Sequence, residues 1–134
     1  MNRKKQGDIG VAMAISYFTS NGYAVSIPIG DSSRYDLIID MNNILQRVQV
    51  KTTGYKSVGS TYQVQLSTQG GNQSWNYISK YILKEEVDIV FVYCLNGTMY
   101  ILPVDVVLGR RSLQLKSSLD TYMGVLGNGE PKAL

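Results

Sequence analysis

A chain of 134 residues, 44% hydrophobic and 17% charged, has the length of one domain and apolar material for one core. The absence of histidine excludes Ser-His-Asp hydrolysis, Cys-His proteolysis and zinc sites built on imidazole. A formal charge of +3 tolerates a nucleic-acid partner without demanding one, and the lack of an apolar run of about 18 residues predicts no membrane span.

The first segment reads as a helix from about Gly7 to Asn21, with Ile9, Ala12, Met13, Ala14, Tyr17 and Phe18 at helical spacing. Asn21-Gly22 supplies the stop, and Asp8 falls in the first turn, where a negative charge complements the helix dipole. Tyr23–Ile29 reads as a short apolar strand, followed by the polar turn GDSSR. Tyr35–Asp40 is a β-rich run ending in the turn-like MNN. Leu45–Thr53 alternates, so that Leu45, Arg47, Gln49 and Lys51 share one face and Val48 and Val50 the other. The short connection predicts an antiparallel hairpin. Gly54–Ser60 reads as a loop, Thr61–Ser67 as a strand with Tyr62, Val64 and Leu66 on one side, and TQGGNQS as a polar loop. Trp75–Lys84 reads as a helix, and Asp88–Leu95 as the most apolar and central strand, with Cys94 as packing. Asn96-Gly97-Thr98 turns the chain back through Met99–Pro103, VDVVL reads as one helical turn, SLQLK as a last strand, and the Gly-rich end as a tail. The sum is a single domain over residues 1–134, α/β or α+β, with a mixed sheet flanked by helices in the order αβββαβ.

The chemistry concentrates in RYDLIID followed, after a short turn, by RVQVK. Paired antiparallel, these runs bring the Asp36 carboxylate, the Gln49 amide oxygen and the Lys51 ammonium together, and the C=O of Val50 adds another oxygen. Oxygen ligands of this kind suit Mg²⁺ or Mn²⁺. A metal so held polarises a phosphodiester, and a lysine beside it stabilises the developing charge.

On these residues the chain resembles the PD-(D/E)XK nuclease superfamily, whose pattern is a helix, then Asp, then (D/E)-x-K on adjacent strands. The stretch from GDIGVA through RYDLIID to QRVQVKTT is most similar to the intron-encoded homing endonuclease branch, where Gln stands in the middle acidic place. The resemblance covers the chain up to Thr53, and beyond it only the order of elements. It implies a restriction-endonuclease-like core with Asp36 as metal ligand, Gln49 in the acidic place and Lys51 as the catalytic lysine. Two departures stand out. Gln49 is neutral, which weakens metal binding. Many relatives carry Glu in a G-x-x-G-E pattern on the first helix, and here Val11 occupies that place. Asp8, one turn earlier, is a candidate replacement carboxylate.

DNA-contact candidates are Tyr55, Lys56, Gln63, Gln65, Gln69, Asn72 and Gln73, an amide-rich stretch with almost no acid, together with Arg110 and Arg111. Gln and Asn read adenine edges, whereas Lys and Arg hold phosphates. The expectation is a cytoplasmic, metal-dependent, site-specific endonuclease acting on double-stranded DNA. One active site cuts one strand, so a homo-oligomer, dimer or tetramer, is expected. The alternatives are a structure-specific nuclease of the Holliday-junction resolvase type and a silenced DNA-binding module of the same fold, the latter motivated by Val11 and Gln49.

Overall fold

The computed structural model describes residues 1–30, 32–70 and 78–126. Helix α1 (Arg3–Ser20) begins earlier than its apolar spacing implies, because Asn2 caps it: Lys5 N–H donates to Asn2 Oδ1 at 2.9 Å. Asp8 therefore sits in the second turn rather than the first, which holds no acidic residue. The buried stripe is Gly10, Ala14, Tyr17 and Phe18, while Ala12 faces solvent. The helix stops where predicted. Asn21 N–H donates to Tyr17 O, and Gly22, at φ +89°, supplies the left-handed residue.

After α1 come β1 (Ala24–Ser26), β2 (Leu37–Met41) and β3 (Ile44–Thr53). The β2–β3 turn is Asn42-Asn43, both with positive φ, as a two-residue hairpin turn of primed type requires. The chain bends at Gly54 into β4 (Lys56–Val58) and returns as β5 (Thr61–Gln65). Strands β6 (Thr68–Gly70) and β7 (Ile78–Lys80) pair antiparallel. Lys56–Val58 is strand where Gly54–Ser60 was expected to be a loop, and two further expectations are corrected. Thr68–Gly70 is strand rather than loop, and the helix expected over Trp75–Lys84 does not form in its described part, where Ile78–Lys80 is extended and Lys84 lies in a turn. Cross-strand pairing with Thr68–Gly70 satisfies the backbone there, overriding the spacing of Ile78 and Ile82. Residues 75–77 lie outside the described part. Next are β8 (Ile89–Cys94) and β9 (Met99–Pro103), a 3₁₀ turn at Val104–Val106, β10 (Ser112–Gln114), a second 3₁₀ turn at Ser117–Tyr122, and β11 (Met123–Gly124).

Among the described residues the main sheet has six strands in the order β1-β2-β3-β8-β9-β11, mixed because β3 pairs antiparallel to β2 and parallel to β8. The mixed-sheet α+β expectation holds. Two cores result. On one face α1 covers Leu37, Ile39, Val48, Ile89, Phe91 and Ile101 with Ala14, Tyr17 and Phe18. The Phe18 ring lies 5.8 Å from Phe91 and 5.2 Å from Tyr17 between centroids, and burying each such ring stabilises the fold by about 1.5–3 kcal/mol. On the other face Val90, Val92, Cys94 and Leu102 pack with Val64 and Leu66. Burial pushes the Cys94 thiol up to about 12, so it is an inert packing group, as its apolar setting predicted. A three-stranded sheet, β10-β5-β4, forms the second layer on this side.

Two close contacts fix the layers. A Cβ at Gly10 would land on Thr52 Oγ1, so only glycine lets α1 lie this near β3, whereas Gly7 has open space. Arg47 ties β3 to the turn entering β8: its backbone N–H, Nε and Nη2 all donate to the Asp88 carboxylate at 2.8–3.0 Å.

Gly10→Ala is expected to cost about 1–3 kcal/mol by overpacking, while Gly7→Ala leaves stability equal or higher; urea unfolding of the pair checks this. Asp88→Ala is expected to cost roughly 1–3 kcal/mol at pH 7, since it strands donors of Arg47 at a partly exposed site. Hydrogen bonding to Arg47 holds the Asp88 carboxyl below its usual range. Its stabilisation is therefore present above the unfolded carboxyl's pKa and lost as pH falls through the lowered one, so the gap between variant and wild type should narrow in acid.

Candidate active site

Strand β3 outruns its neighbour. The β2–β3 ladder closes at Leu37–Val48, with Asp36 N–H donating to Val48 O at 2.8 Å. Alternate residues of a strand turn their backbone groups to the same side, so the N–H and C=O of Val50 emerge on that side just past the end of β2. The side chain of Asp36 takes the missing strand's place: Val50 N–H donates to Asp36 Oδ2 at 2.7 Å. Extending the register sets Asp36 opposite Gln49, and the pleat places Lys51 two residues on, on the same face. Val48 and Val50 face α1. By that register the three residues fall on one face; the Asp36 and Lys51 charges are near enough to act on each other, while the Gln49 side chain lines a different cavity from Lys51.

The site withdraws its charges from water. Part of Asp36 stays exposed, yet burial of its carboxyl raises the pKa above the usual carboxylate value, against the opposing pull of the Val50 N–H and of the Lys51 charge. Burial likewise lowers the Lys51 ammonium, against the opposing Asp36 charge. Their charges act through space; among the described residues no ion pair joins them directly. The Asp36 carboxylate, the Gln49 amide and the Val50 C=O are oxygen donors sharing one edge, which fits a hard divalent cation completed by water and phosphate oxygens. The set is poor in charge: no group of three His, Cys, Asp or Glu side chains fit to hold a metal exists among the described residues.

Lys51 also lines a cleft of about 1080 Å³. Its walls are the start of α1 (Arg3, Gln6, Gly7), the end of β3 through Tyr55, then Gln63, Gln65, Ser67, Leu95 and Arg111. Among the described residues three cations and no carboxylate line it. The cleft brings Tyr55, Gln63, Gln65 and Arg111 together with Lys51, as candidates for one surface. Others fall elsewhere. Lys56 Nζ stacks over the Tyr62 ring at 5.0 Å, and Arg110 lies outside the lining. Asp8 is exposed and forms no hydrogen bond or ion pair among the described residues. Val11 packs at the border of the core under α1, as does Val50. Gln49 lines a separate cavity of about 20 Å³ beside Arg34 and Glu86, which pair at 3.3 Å. The Gln69 backbone lies in β6; Asn72 and Gln73 are outside the described residues. Sequence reasoning missed Gln6, Thr53 and Ser67. Thr53 Oγ1 donates to Gln63 O at 2.6 Å and accepts from Tyr55 N–H at 3.1 Å, pinning the bend that leads into β4.

A PD-(D/E)XK endonuclease family model matches residues 1–119 of this chain. The chain belongs to the PD-(D/E)XK endonuclease family. Within that family, it is similar to a solved bacterial homing endonuclease, I-Ssp6803I, with a TM-score of 0.78 and 28% identity, over 87% of this chain and 80% of the other. A comparison with curated proteins gave no match. As a PD-(D/E)XK endonuclease fold it is a nuclease, and no helix among its described residues is long and apolar enough to cross a membrane.

Because folding disfavours the charged form of Lys51, its cost is present below the lowered pKa and released as pH rises through it. Lys51→Met is therefore expected to raise Tm at pH 7, with the gain fading in alkali. A clear fall in Tm would mean that Lys51 supports the fold instead.

Proposed function

We propose that the chain is a divalent-metal-dependent, site-specific endonuclease of double-stranded DNA, acting in the cytoplasm. The observation that carries this reading is the junction of the Asp36–Gln49–Lys51 edge with an acid-free cleft lined by Arg3, Lys51 and Arg111. Asp36, Gln49 and the Val50 C=O would hold Mg²⁺ or Mn²⁺. Bound there, such an ion neutralises phosphate charge and acidifies a coordinated water. Asp36 is oriented for this by the Val50 N–H, which fixes one carboxylate oxygen and leaves the other free. Lys51, pulled out of water, presents its ammonium to the phosphate where charge develops during attack. Arg3 and Arg111 bind the phosphates on either side and set the backbone's path. The first turn of α1 adds N–H groups and the positive end of the helix dipole to the same wall. Tyr55, Gln63 and Gln65 supply contacts that can discriminate bases. An amide-rich wall favours sequence reading over the reading of junction shape.

Cutting both strands takes two sites, so the working species is a symmetric homo-oligomer, a dimer or a pair of dimers. Ile27 and Ile29 beside the β1 edge, and Ile44 and Leu45 at the β2–β3 hairpin, are exposed apolar side chains available for such a contact. The neutral Gln49 and the valine at position 11 also support a second reading, a module that binds DNA without cutting it.

In a cleavage assay with a supercoiled plasmid library and a four-way junction, cutting is expected with Mg²⁺ and not with EDTA, and on linear target over junction. Asp36→Ala and Lys51→Ala should each slow it about 10²–10³-fold or more. Normal cutting by either variant would overturn the assignment. Binding without cutting would favour the silenced module, and Val11→Glu would then be tested for restored cleavage.

A further inference from the structure

The small sheet β10-β5-β4 has one apolar face and one polar face. Val64 and Leu113 are cross-strand partners packed on the core, so their neighbours point away from it. The outward face is a lattice of amides and hydroxyls. Gln63 stands opposite Gln114 and Gln65 opposite Ser112. None of these side chains is charged, and each is at least partly accessible. Two of the amides are held in place. Gln114 Nε2 donates to Ser57 Oγ at 3.1 Å, reaching across β5 to β4, and Gln65 Nε2 donates to Ser67 Oγ at 3.3 Å. Each anchored amide keeps one N–H and its Oε1 unspent, side by side. That pair is the complement of the adenine edge in the major groove, where N7 accepts and N6 donates. Anchoring by a hydroxyl also reduces the rotamer entropy lost on contact.

We propose that β5 and β10 together form the base-reading ribbon of this enzyme, and that Gln114 and Ser112 are specificity-determining residues alongside Gln65. This rests on the DNA endonuclease reading above and extends it to a strand from the far end of the chain. Two geometric matches support it. A two-stranded ribbon fits the major groove, about 12 Å wide. Successive outward residues on a strand lie roughly 6.8 Å apart, the rise of two base pairs, so one strand laid along the groove addresses alternate pairs. The occupant is set by charge. Gln63 and Gln65 also line the cleft that holds Arg3, Lys51 and Arg111, and Arg111 immediately precedes β10. A phosphate backbone gripped by those cations brings the edges of its bases over the uncharged lattice. An acidic peptide would meet the same cations but leave the amide lattice without matching donors and acceptors at this period.

The test is selection of binding sites from a randomised duplex library, with the full chain and Ca²⁺ in place of Mg²⁺. Wild type is expected to enrich one motif. Gln114→Ala should lose preference at one or two adjacent positions by about 5- to 150-fold, leaving the rest of the motif intact. Gln114→Glu should change preference there toward cytosine, whose N4 amine donates to a carboxylate; damage to the fold alone would not produce such a switch. Lys84→Ala, at an exposed pair with Asp105, serves as the control. An unchanged motif in both Gln114 variants would overturn this proposal while leaving the endonuclease reading in place. Failure of wild type to enrich any motif would overturn both.

Discussion

One hydrogen bond organises the molecule: Val50 N–H to Asp36 Oδ2, at the point where β3 continues and β2 has ended. A strand that outruns its neighbour exposes a backbone donor and acceptor, which a folded chain must satisfy. Asp36 satisfies the donor with a side chain, so a carboxylate is held at the sheet edge by the same bond that finishes the ladder. Were β2 longer by two residues, Val50 would pair with backbone, and no acid would be needed there. The site is thus a consequence of strand lengths, five residues for β2 against ten for β3. The parallel partner β8 supports β3 along its other side past this point, up to Thr53–Cys94, so the unpaired edge stays rigid.

Burial disfavours the charged forms of the two groups at this position. Both Asp36 and Lys51 are shifted toward their neutral forms by burial, and among the described residues neither gains a direct ion pair in return. Arg47 and Asp88, on the same strand's approach, show the structural alternative. They meet in several charge-assisted hydrogen bonds, and Asp88 is shifted toward its charged form. On the proposed reading, the contrast separates charges that hold the fold from charges kept available for a substrate. Arg47 and Lys51 lie four residues apart on β3, so the distinction follows from local partners and not from region.

The hairpin, its Asn-Asn turn, the helix stop at Asn21-Gly22 and the central β8 were legible in the sequence because each is local: a period, a turn residue, an apolar run. So was the nearness of Asp36 to Lys51, since one hairpin fixes it. The cleft was not. Its walls come from residues 3–7, 51–55, 63–67, 95 and 111, and no local pattern joins them. The start of α1 was missed although its signal, Asn2 as a cap, was present; Asp8 was credited with the first turn only because the apolar period starts late. Ile78–Lys80 was misread because Ile78 and Ile82 fit a helical spacing, while the deciding influence, the backbone of Thr68–Gly70, lies in a separate strand. For Lys56, charge pointed to phosphate, and only the fold reveals Tyr62 beneath it.

On the proposed reading, charge is divided between the cleft and the second layer in a way that the two requirements of sequence-specific cutting explain. Attraction to the phosphate backbone is strong and blind to sequence, so cations belong where position matters: Arg3 and Arg111 on the cleft walls, Lys51 at its floor beside the metal-fitted edge. Discrimination between bases needs donors and acceptors in fixed pairs, and a cation among them would bind any phosphate that strayed near. The residues of β5 and β10 on the outward face carry amides and hydroxyls, while Lys56 of β4 is turned to the opposite face and held over Tyr62. Alternation along β4 and β5 thus sorts the cation away from the lattice by the same period of two that sends Val64 into the core.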